Sequence, residues 1–62
     1  MKTFFYEIEI GVIKDREIIK RHKCILRDAE SANEAIKLGI VLAKFMFPNN
    51  KSYFCWINKC IK

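Results

Sequence analysis

Apolar and polar residues alternate from the start of the chain, with Phe4, Tyr6, Ile8, Ile10 and Val12 on one parity and Thr3, Phe5, Glu7, Glu9 and Gly11 on the other. A period of two from Lys2 to Ile13 predicts a β-strand with one buried face. The wholly charged Lys14-Asp15-Arg16-Glu17 comes next, followed by a second β-branched run from Ile18 to Leu26. Two such runs around a charged tetrad predict a hairpin. The second run carries Lys20-Arg21-His22-Lys23 at its middle. Alternation turns some of those charges toward the buried side, so a twist, a bulge or an end beyond the cover of the core is expected there.

The period then lengthens. Ser31-Ala32-Asn33-Glu34 fits a capping box, in which the Ser31 hydroxyl accepts the third helical N–H and Glu34 reaches back to the Ser31 amide. The helix is expected from about Ala32 to Phe47, ending before Pro48-Asn49-Asn50 because proline pushes the residue ahead of it out of the α region. One helical stripe holds Ala32, Ala35, Ile36, Gly39, Ile40, Ala43 and Phe47, and an adjoining stripe holds Leu38, Val41, Leu42 and Phe45. A helix covering one small sheet needs a single apolar stripe, about 100° wide. The second stripe is surplus and points to a homodimer through the helix or to a partner's groove. Alternation returns from Lys51 to Ile61, with Tyr53, Cys55, Ile57 and Ile61 set against Phe54, Trp56, Asn58 and Cys60. A third strand is expected. The order is that of an α+β fold in one domain, 1–62: ββαβ, a three-stranded antiparallel sheet with one helix packed on one face.

Composition narrows the function. The chain has 62 residues, 52% of them apolar, with 2 Gly and 1 Pro, which is the make-up of a folded domain. So short a chain seldom supplies a core, a supporting shell and a walled pocket together, which argues against an enzyme. No glycine-rich phosphate loop or paired-carboxylate motif is present, so no catalytic residue and no cofactor are expected. His22, Cys24, Cys55 and Cys60 formally suffice for tetrahedral zinc, but neither pair has the tight spacing of a zinc knuckle, and on a regular strand Cys55 and Cys60 face opposite ways. An odd number of cysteines fits reduced thiols in the cytoplasm. The longest apolar stretch, Leu38 to Phe47, is too short for a bilayer and contains Lys44, so no membrane partner is expected. Twelve Lys and Arg against seven Asp and Glu leave a net charge of +5, which favours anionic partners.

Two surfaces compete for a role. Lys20, Arg21 and Lys23, with Lys14, Arg16 and Arg27 nearby, are a phosphate-binding run on one reading and a solvated strand that protects a sheet edge on the other. Glu7 and Glu9 are placed to pair with that run across the hairpin. Phe5, Phe54 and Trp56 fall on the sheet face opposite the helix. There they serve as a base-stacking platform, as a hot spot for a protein partner, or as core if the register is inverted. The glycine-aromatic signature of an RNA-recognition motif is absent.

The hairpin-helix-strand order, the length and the abundance of Lys, Ile, Phe and Asn resemble small host-takeover proteins of phages. More narrowly, Gly11 followed by Lys14 in the hairpin, Asp28 closing the second strand, Ala43 in the helix and Cys55 in the last strand are similar to Dmd-like antitoxins of T-even phages. Pro48 and Trp56 depart from that pattern. The resemblance implies a non-catalytic inhibitor that blocks an RNase LS-type toxin, or another defence or RNA-decay protein of the host, in the host cytoplasm. The residues expected to meet a partner are Phe5, Lys20, Arg21, Lys23, Leu38, Val41, Leu42, Phe45, Phe54 and Trp56. The alternative is a small basic nucleic-acid-binding protein using the basic strand and the sheet-face aromatics.

Overall fold

In a computed structural model that describes residues 2–61, the alternating N-terminal run forms β1, Phe4–Lys14. It pairs antiparallel with β2 (Glu17–Ala29) on one side and β3 (Tyr53–Cys60) on the other, giving the order β2-β1-β3. The central position accounts for the strictness of the alternation. Tyr6, Ile8, Ile10 and Val12 are all buried, and each fully buried aliphatic side chain contributes on the order of 1.5–3 kcal/mol. The expected ββαβ sheet with one helix on one face is the observed architecture.

Lys14 and Glu17 pair as strand residues, so the charged tetrad narrows to a two-residue turn at Asp15-Arg16. Both turn residues have positive φ, 52° and 67°, as in a type I′ turn, whose twist matches that of the flanking strands. β2 runs three residues past the expected Leu26, because a bulge lets Phe4 pair with Ala29. A second bulge lies between Val12 and Ile13. Lys20 stands opposite Val12 and His22 opposite Ile10, on the helix side, yet both are exposed. The helix lies mainly over β3 and β1 and leaves this stretch of β2 uncovered.

That helix, α1, spans Ala32–Met46, and Phe47 caps it by donating its N–H to the Ala43 carbonyl at 2.8 Å. The Ser31 hydroxyl accepts the Glu34 N–H at 3.1 Å, while the Glu34 carboxylate accepts from the Glu30 amide at 3.4 Å instead of from Ser31. Ala35, Gly39 and Ala43, one turn apart, form the buried line. Small side chains there bring the helix backbone close to the sheet. A Cβ on Gly39 would collide with the Cys55 Sγ and come within 3.3 Å of the Ile8 Cδ1.

The return to the sheet is organised by Tyr53, whose hydroxyl donates to the Phe47 carbonyl at 2.7 Å. The Asn50 side-chain amide donates to the Phe47 and Pro48 carbonyls at 2.9 and 3.2 Å. Lys51 and Ser52 therefore belong to the loop, and β3 begins at Tyr53. Near its end β3 carries one extra residue: Ile57 pairs with Ile8 and Lys59 with Glu7, leaving Asn58 between them. The bulge resets the alternation, so Cys60 pairs with Tyr6 and shares the helix side with Cys55. This corrects the expectation, drawn from a regular strand, that the two cysteines face opposite ways.

Candidate functional site

The outer surface of α1 is the more conspicuous of the two candidate surfaces. Leu38, Val41 and Phe45 follow one another along it and are 40%, 64% and 86% exposed. Lys37 and Lys44 are exposed beside them. Leu42 does not belong to this strip: it is half-buried and packs against the core formed by Tyr6, Ile8 and Ile10, which corrects its placement with the surplus stripe. At 100° per residue it sits closer to the Gly39 line than its stripe-mates do.

On the open face of the sheet, Gly11 leaves room for the ring of Phe54. A Cβ on residue 11 would lie 2.8 Å from the Phe54 Cε1. The Trp56 ring stacks on Phe54 with centroids 4.5 Å apart and planes 28° from parallel. Phe54 is therefore only 7% exposed and offers no free ring face for a partner, while Trp56 keeps 38% of its surface. The Arg21 guanidinium lies 5.8 Å from the Trp56 centroid and its Nε donates to the Glu9 carboxylate. The Asn58 side-chain amide donates to Glu7 at 3.1 Å and to Glu9 at 3.2 Å. These hydrogen bonds from Arg21 and Asn58 hold the Glu9 carboxyl below its usual range.

The remaining expected residues do not gather. Phe5 lies on the same face at the far end of β1, beyond Glu7 and Glu9, with the Arg27 guanidinium 5.7 Å from its ring centroid. Lys23 stands opposite Glu9 on this face, whereas Lys20, opposite Val12, is on the other. The basic run is thus divided between two faces, and the centre of the open face is occupied by two carboxylates. A base stacking on Trp56 has to displace Arg21, and a phosphate above the sheet meets Glu7 and Glu9.

Sequence reasoning missed the Asn58 bridge and the seat of Phe54 on Gly11. Only the glycine, standing mid-strand, offered a signal for close approach. Burial raises the thiol pKa of Cys24 and of Cys55, and the charge of Cys24 adds to the effect at Cys55, so neither has the lowered pKa of a nucleophilic cysteine. Among the described residues no group of three His, Cys, Asp or Glu could hold a metal ion. A cleft of about 440 Å³ lies between the hairpin turn and the α1–β3 loop, lined by Lys14, Asp15, Asn49, Asn50, Lys51 and Ser52 among others. Its charges are of both signs. Comparisons with protein-family models, with curated proteins and with solved structures return no match. Among the described residues no helix is long and apolar enough to cross a membrane.

Proposed function

We propose that the chain is a small non-catalytic binding protein of the phage-inhibitor type, which blocks a host defence or RNA-decay protein by covering its functional surface. The observation that carries this reading is the exposed strip of Leu38, Val41 and Phe45. The core closes without it, and exposed aromatic and aliphatic residues in one patch are typical of partner-binding surfaces. The likeness to Dmd-like antitoxins points the same way. The nucleic-acid alternative draws less support, because Arg21 is engaged by Glu9 and Trp56 and the basic run is split between faces.

The test compares the wild type with a Val41→Asp, Phe45→Asp double variant, both immobilised and exposed to bacterial lysate. One protein retained in stoichiometric amount by the wild type, lost on the variant, and inhibited when purified and mixed with the wild type, supports the reading. Recovery of nucleic acid alone, with an affinity that falls steeply with salt, would overturn it in favour of the alternative.

A further inference from the structure

We infer that the surface covered by α1 is apolar with an acidic rim, and is not the RNA-gripping groove of a nuclease. The inference rests on the inhibitor reading above and specifies the chemistry of its partner. At 100° per residue Leu38, Val41 and Phe45 fall within about 60° of arc, and Lys37 and Lys44 line the border next to Val41. All five side chains are exposed. The helix has one acidic residue, Glu34, in its first turn, where its carboxylate takes the Glu30 amide. By the same geometry Glu34 falls within this arc, one turn ahead of Leu38, half-buried with its carboxylate already engaged; over the length of the strip the one charged border is the side next to Val41, formed by Lys37 and Lys44, and it is cationic.

This charge pattern selects against an antiparallel pair of copies and against a groove that grips RNA. Two copies pairing antiparallel through the strip, about a two-fold axis across the helices, place the two lysine borders on the same side, so that Lys37 of one copy falls near Lys44 of the other. Like charges so placed oppose association. A groove that grips RNA is itself lined with Lys and Arg to meet phosphate and repels the same border. A surface that ordinarily receives a basic segment has the complementary charge, and its apolar floor would take Phe45 and Val41.

The test uses the full chain and a synthetic amphipathic helical peptide with leucines on one face and glutamates along its rim, beside the same peptide with lysines replacing the glutamates. Sedimentation equilibrium at high protein concentration is expected to show a monomer. Amide chemical-shift mapping is expected to place the glutamate-rimmed peptide on Leu38, Val41 and Phe45. It should bind about tenfold more tightly than the lysine-rimmed one, the scale of two or three exposed ion pairs. A Lys37→Glu, Lys44→Glu double variant should reverse the preference. Equal binding of the two peptides, a wild-type dimer undone by Phe45→Asp, or preferential binding to phosphatidylglycerol vesicles would each overturn the inference. Applied to the retained host protein, the two double variants separate the failures. Capture that survives Lys37→Glu, Lys44→Glu but not Val41→Asp, Phe45→Asp sinks the acidic rim alone, whereas capture that survives both sinks the inhibitor reading through α1.

Discussion

The ring of Phe54 on β3 rests over Gly11 on β1, with its Cε1 2.8 Å from where a Cβ would stand. A methyl group at residue 11 would also strike the backbone of Lys20, its carbonyl carbon being 2.8 Å away. A side chain can rotate aside, but a paired strand has no such freedom. Gly11→Ala is therefore expected to cost about 1–3 kcal/mol, as overpacked sites do. In a domain of this size that is a fall in Tm of about 4–8 °C for each kcal/mol. Urea denaturation followed by Trp56 fluorescence measures it, and an unchanged midpoint would remove Gly11 as the seat of the ring.

Glycine at an exposed helical position gains about 1 kcal/mol of stability when changed to alanine. Gly39 should show the opposite sign, because its added Cβ meets the Cys55 Sγ. Gly39→Ala is expected to lose about 1–2 kcal/mol by forcing the helix off the sheet. Removing the sulfur with Cys55→Ala should recover part of that loss, giving a coupling energy of at least about 0.5 kcal/mol in a double-mutant cycle. Strict additivity of the two changes would show that the helix does not touch the sheet at this point.

Adjacent residues of one apparent stripe should behave in opposite ways. Leu42→Glu places a charge against the core and is expected to cost roughly 3 kcal/mol, a large part of the stability of a small domain. Phe45→Asp, at a side chain 86% exposed, should change stability by less than about 0.5 kcal/mol. Thermal melts of the two variants decide the matter, and similar losses in both would place Phe45 in the core.

Glu9 sets an acid limit on part of the fold. Its carboxyl is held below the usual 4.5 by hydrogen bonds from Arg21 and Asn58. A carboxyl whose pKa is lower in the folded state stabilises the fold above the unfolded value, and that contribution is lost as pH falls through the lower folded value. The stability difference between wild type and Glu9→Gln should therefore be constant at neutral pH and shrink below about pH 4.5. Denaturation curves at pH 7, 5 and 3 test the sign, and a difference that grows on acidification would contradict the pairing with Arg21.

Elements whose burial follows one simple period were legible from residues alone. Phe4 to Val12 alternate strictly because β1 is the middle strand, and Ser31 announces α1 because its hydroxyl has a donor to serve. The strand ends were less legible, since Phe4 with Ala29 and Tyr6 with Cys60 are joined across bulges that leave no mark in composition. Leu42 was misplaced because helical periodicity gives the angle between residues, not where the sheet's cover ends. On the open face the aromatic residues were readable by parity. Their occupancy was not: Phe54 is used up by Gly11 and Trp56, and Arg21 by Glu9, through contacts between strands far apart in the chain.

The central strand, β1, is also the first to be synthesised, and one of its two neighbours, β3, is the last element of the sheet to emerge. Ile8 meets its partner Ile57 only after β2 and α1 have been made. Without β3 the β1–β2 hairpin is a two-stranded ribbon with a bare edge, and such ribbons are marginal in water. Closure of the sheet is therefore a long-range event, of the kind that slows folding. Any truncation ahead of Tyr53 would leave the edge of β1 open to pair with another chain.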